Sequence, residues 1–170
     1  MKLTPHLARL ALLAASLLPL GVTAAPEPAA TVAAVQQAAW VERDGQQRAL
    51  SPGQPLQQGD ILYTGKDARL ILNLPDQSTL KLGENLHLQL SSYTPASESG
   101  GVMRAVIDLL KGAFRYTASA SDAQRDITVN IDSIALGIRG TDVWGKAACR
   151  QFGKVVEHRR TACGFRVKGS

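Results

Sequence analysis

The sequence predicts an all-β protein, an antiparallel sandwich of jelly-roll type, and three observations carry that expectation. Apolar residues recur with a period of two through the middle of the chain: Ala68, Leu70, Leu72 and Leu74, then Leu80 and Leu82, then Leu86, Leu88 and Leu90. Turn-forming residues separate such runs every 8 to 12 residues or so, the spacing of short strands in sandwiches and barrels. No long stretch repeats apolar residues three and four apart, as a core-facing helix would require.

At the N-terminus, Lys2 and Arg9 precede or open an apolar run from Leu10 to Val22, and Thr23-Ala24-Ala25 follows. A basic start, a short apolar centre and small residues before a cut describe a secretory signal peptide. The run is shorter than the roughly 20 residues that cross a bilayer. Cleavage is expected after Ala24, so residues 1–24 are read as the signal peptide and the remaining chain as periplasmic, with no transmembrane span after cleavage.

Residues 25–39 are an Ala- and Pro-rich lead-in, where a short helix at Thr31 to Gln37, a fraying segment and an edge strand all remain open. The β domain proper is expected over 40–145. It begins with a hairpin, since Asp44-Gly45 supplies positive φ angles between Trp40-Val41 and Arg48 to Leu50. The alternating strands come next, broken by "PDQS", and then the polar loop "SSYTPASESGG". Val102 to Leu110 reads as a strand, although Met103, Val106, Ile107 and Leu110 would also share a helix face. A break at Lys111-Gly112 leads to a further strand, Ala113 to Thr117. The last alternation is Ile127, Val129 and Ile131, ahead of "IALGIRGTDVW".

Charge is unevenly distributed. Residues 25–145 hold 10 basic and 13 acidic side chains, whereas residues 146–170 hold seven basic ones against Glu157 alone. This basic tail suits a polyanion such as a cell-wall polymer, or it is a solvated end. Nucleic acid is excluded as a partner by export and by the scarcity of aromatic residues for base stacking. Cys149 and Cys163 both fall in the tail, where they either form a disulfide or remain two free thiols; their spacing suggests no metal site.

Four segments together resemble the FecR-domain family: "VERDGQQRAL", "GQPLQQGDILYTGKDARLILNLPDQSTLKL", "LLKGAF" and "IALGIRGTDVW". The resemblance spans about residues 34 to 145. It implies an all-β extracytoplasmic domain and, in the best-known members, a regulator relaying a signal from an outer-membrane transporter to a sigma factor. Those members carry a sigma-binding region and a membrane helix where this chain has a signal peptide, so a stand-alone exported member is expected. After Arg-Gly-Thr the composition departs from the family. "KVVEH" and "GFRVKG" are read either as divergent strands or as part of a truncated or frame-shifted end.

The motif residues have direct physical readings. Gly59-Asp60 and Thr64-Gly65 bracket Ile61-Leu62-Tyr63 as turns at the two ends of a strand. In Arg139-Gly140-Thr141, the glycine permits a turn and the threonine hydroxyl bonds across it. Arg139 is read as a clip between strands, paired with Asp142, Asp132 or Asp60, in preference to an anion or partner contact. Trp144 is expected in the core or at a sheet edge, and His87 facing solvent. The chain shows no Gly-x-Ser-x-Gly, His-Glu-x-x-His or Gly-rich phosphate loop. No catalytic residue, cofactor or metal is therefore expected. The predicted function is a non-enzymatic periplasmic domain binding an envelope protein, in signalling or as a scaffold; the alternative is a module for an anionic wall glycan.

Overall fold

The computed structural model describes residues 27–120, 124–132, 134–138, 142–151 and 161–169, with the backbone alone at 148–151 and 161–169. The predicted signal peptide and Arg139-Gly140-Thr141 lie outside the described residues. The described residues are strand and turn, with one short 3₁₀ turn among them at Ala96–Glu98.

Thirteen strands follow in order: β1 (Ala30–Gln36), β2 (Ala39–Arg43), β3 (Gln46–Ala49), β4 (Pro55–Leu56), β5 (Ile61–Thr64), β6 (Arg69–Asn73) and β7 (Thr79–Leu82). They continue with β8 (His87–Thr94), β9 (Val102–Thr117), β10 (Gln124–Ile131), β11 (Ile134–Ile138), β12 (Asp142–Gln151) and β13 (Thr161–Gly169). One sheet runs β4-β1-β6-β7-β9-β12-β13 and the other runs β3-β2-β5-β8-β9-β10-β11. The 16-residue β9 belongs to both. All pairings are antiparallel except β9 with β10, which run parallel.

Alternation buries one face of each sheet in a single core. From the first sheet come Val32, Leu70, Leu72, Leu80, Leu82, Phe114 and Tyr116; from the second come Val41, Leu62, Leu88, Leu90, Ile107, Leu109, Ile127 and Val129. The expected runs at 68–74, 80–82 and 86–90 all point inward. Each fully buried leucine contributes roughly 1.5–3 kcal/mol relative to exposure, so the leucine ladders fix the register of the middle strands.

Two junctions explain how the chain closes over that core. In the first hairpin, Asp44 (φ 53°) and Gly45 (φ 71°) both take the left-handed conformation of a tight two-residue turn. In β9 the inward parity changes partway: Met103, Ala105, Ile107 and Leu109 are buried, Leu110 and Lys111 are both exposed, and Gly112, Phe114 and Tyr116 are buried. Gly112 has φ 107°, and a Cβ there would lie 2.7 Å from the Leu86 Cα. That backbone conformation and close approach let one strand leave the second sheet and enter the first. The sequence reading placed two strands on either side of Lys111-Gly112; the chain forms one bent strand.

Residues 30–36 of the lead-in form β1, which pairs β6 along its length and β4 at its start. The folded unit thus begins ahead of Trp40. Beyond residue 145, β12 continues and pairs with β13, which contains "GFRVKG", so this part of the tail is strand rather than a solvated end. "KVVEH" lies outside the described residues.

Candidate functional site

Most buried polar groups are consumed inside the fold. Asp60, 1% exposed, accepts hydrogen bonds from Arg43 Nε at 2.6 Å, Arg43 Nη2 at 2.7 Å and the Gln57 amide at 2.8 Å. Those bonds hold the Arg43 guanidinium above its ordinary pKa. The same motif ties down the next turn. Thr64 Oγ1 donates to the Gly83 carbonyl at 2.7 Å and accepts the Leu86 amide at 2.9 Å, while the Gly65 amide reaches the Ala38 carbonyl at 2.9 Å. The Gly59 amide donates to the Leu90 carbonyl at 2.7 Å. Gly59, Asp60, Thr64 and Gly65 therefore pin both ends of β5.

A second polar cluster was invisible in the sequence. Ser78, fully buried, donates to Asp76 Oδ2 at 2.6 Å and receives the Tyr116 hydroxyl at 2.9 Å and Arg125 Nη1 at 2.9 Å. Arg125 also lies 3.2 Å from Asp76 Oδ2. The Tyr116 hydroxyl first, and the Asp76 charge after it, hold Arg125 above its ordinary pKa, against the effect of burial. Asp76 and Ser78 are neighbours within "PDQS", which signals only a turn, but Tyr116 and Arg125 lie 38 and 47 residues beyond Ser78, and no local pattern could have joined them to it.

The expected Arg139 clip is outside the described residues, but two of its suggested partners are engaged elsewhere. Asp60 is held by Arg43, and Asp142 receives Arg115 Nε at 2.9 Å and Nη2 at 2.5 Å. Asp132 sits in the β10–β11 turn with φ 55°. His87 lies on the outward, half-buried positions of β8 with Gln89, where the β5–β8 register sets it opposite Tyr63 and the rings stack with centroids 4.6 Å apart. One other expectation is corrected. Trp144 is neither core nor edge packing. It is 39% exposed on the outer face of β12, because Val143, Gly145 and Ala147 take the inward positions. The backbone register places Cys149 opposite Cys163 across β12 and β13.

What remains outward defines the candidate surface. Among the described residues β11 pairs with β10 only, and its residues Ile134, Ala135, Leu136, Gly137 and Ile138 carry no charge. Ile134 is 50% exposed. Beside the hairpin, a groove of about 370 Å³ is lined by Gln89, Asp108, Leu110, Asn130, Ile131 and Asp132. Leu110 is 48% exposed. Asp108 accepts the Asn130 amide at 2.7 Å and a hydrogen bond from the Ser91 hydroxyl, so the groove wall is braced from β8, β9 and β10. Among the described residues no cluster of metal-ligating side chains occurs, and no helix is long and apolar enough to cross a membrane.

No curated protein and no solved structure matches the chain. The family model FecR, described as FecR protein, matches residues 60–157, more than half of the chain, from the Asp60 turn through β12. The chain belongs to the FecR family, a regulatory family associated with signalling and not known as enzymatic.

Proposed function

We propose that this is an exported, non-enzymatic FecR domain of the cell envelope that recognises a partner protein there, in signalling or as a scaffold. The observation that supports this reading is the β11 edge. An uncharged edge strand with exposed apolar side chains presents unpaired backbone groups, which an extended partner segment can extend as a further strand. Ile134 and Leu110 add apolar contact on the flank of that edge.

The test is site-directed photo-cross-linking in living cells, with the reactive side chain at Ile134 or, as a control, at exposed Gln47 on the opposite edge. One reproducible envelope protein captured from position 134 and not from 47 is the expected outcome; equal, diffuse capture from both would overturn it. Mass spectrometry of the chain released from the periplasm should show an N-terminus at Ala25.

A second reading, binding of an anionic wall glycan, draws on the seven basic residues after residue 145. Association through a basic tail should weaken sharply in co-sedimentation with purified wall between 0.1 and 1 M salt, as the Debye length falls from about 10 to about 3 Å.

A further inference from the structure

Adjoining the first groove at Ala147, a second groove of about 580 Å³ opens where β9 passes from one sheet to the other. Three cations line it from three strands: Arg69 at the start of β6, Lys111 on β9 and Lys146 on β12. All three are exposed, and none has a carboxylate within 4.0 Å among the described residues. The register sets Lys146 opposite Ala113, two residues along β9 from Lys111, and both line the same opening as Arg69.

The remaining lining defines what such charge would hold. Glu84 and Asp67 line it too, with Glu84 Oε2 accepting the Asp67 amide at 2.8 Å. Asn85 and Gln36 add side-chain amides. The apolar contribution is limited to the methyl groups of Ala68, Ala113 and Ala147. No aromatic ring lines the groove, so bases or sugars have nothing to stack on; no large apolar side chain does either, so an acyl chain has no seat. Carboxylates and amides hydrogen-bond hydroxyl groups, while unpaired ammonium and guanidinium groups bind oxyanions. Its volume falls within the range of small-ligand sites.

We propose that this groove binds a saccharide bearing carboxylate or phosphate groups, its hydroxyls bonded by Glu84, Asp67 and Asn85 and its oxyanions by Lys111, Lys146 and Arg69. This is independent of the β11 edge. It deepens the wall-glycan reading by placing recognition in a groove that takes only Lys146 and Ala147 from the basic tail and leaves out residues 148–170, so the two can fail separately.

The test uses the ¹⁵N-labelled exported protein, titrated with tetragalacturonate, with neutral maltotetraose and with inorganic phosphate while backbone amide shifts are followed. The carboxylated tetrasaccharide should move the amides of Gly83, Asn85, Gly112 and Lys146, and maltotetraose should not. Lys111→Gln combined with Lys146→Gln should weaken binding about tenfold or more, with an unchanged thermal midpoint because both side chains are exposed. Equal response to the neutral sugar, or unchanged affinity in the double variant, would overturn the proposal. So would phosphate reproducing the shifts at equal concentration, or binding confined to phosphatidylglycerol vesicles. Shifts confined to residues 148–170 would leave wall binding to the tail and refute the groove.

Discussion

The two halves of β9 share one backbone but serve different surroundings. Residues 102–109 lie between β8 and a parallel β10, in the half of the molecule where the apolar β11 edge is exposed. Residues 112–117 lie between antiparallel β7 and β12, and their polar side chains are committed: Tyr116 to Ser78, Arg115 and Thr117 to Asp142. The first half thus leads to an open edge, whereas the second is tied into buried and surface polar links. Both grooves meet at the change between them, because Leu110 lines one and Lys111 the other.

The strongest way to break this comparison is Gly112→Ala. It forces a Cβ into a positive-φ position and against the Leu86 backbone, and should cost about 3–5 kcal/mol in chemical denaturation. A loss below about 1 kcal/mol would mean that the junction tolerates an ordinary strand geometry. Ser78→Ala comes next. It removes the hydroxyl shared by Tyr116, Asp76 and Arg125, and about 2–3 kcal/mol should be lost, chiefly because the buried Tyr116 hydroxyl loses its acceptor while Arg125 keeps Asp76. A near-neutral result would show that the second half of β9 does not depend on the cluster.

Asp60→Asn sharpens the comparison from the other sheet. Asp60 is buried, but the Arg43 side chain is 40% exposed and can return to water, so the expected loss is smaller, about 1–2 kcal/mol. A cost as large as that of Ser78→Ala would indicate that Arg43 gains little from solvent. The Arg115–Asp142 fork, lying at the surface, should have the smallest effect, and it should depend on pH. Arg115 holds the Asp142 carboxyl below its ordinary value of 3.8. Its contribution is therefore present above that value and is lost as pH falls through the lowered one. The difference in thermal midpoint between the native chain and Asp142→Asn should shrink below about pH 4; a difference that grows on acidification would contradict the pairing.

Legibility followed the range of the interactions. Leu70, Leu72, Leu80, Leu82, Leu88 and Leu90 could be assigned to the inward face because alternation is a property of neighbouring residues. Asp44-Gly45 likewise announced its hairpin. The bend in β9 left only a trace, the change of inward parity between Leu109 and Phe114, which resembles a turn between two strands. Ser78 with Arg125 left none, since 47 residues separate them. Trp144 was misplaced for the opposite reason: bulk favours burial, but its neighbours Val143 and Gly145 occupied the inward positions.

By itself, then, the sequence determined the all-β class, the principal turns, the inward leucines and the family, all of which depend on period, turn chemistry and motifs along the chain. Tertiary structure alone decided that β9 joins two sheets, that β1 is an internal strand, and that Asp60 pairs with Arg43. It also decided which charges are spent internally and which remain in a groove. Those outcomes depend on side chains meeting across strands, where distance along the chain carries no information about distance in space.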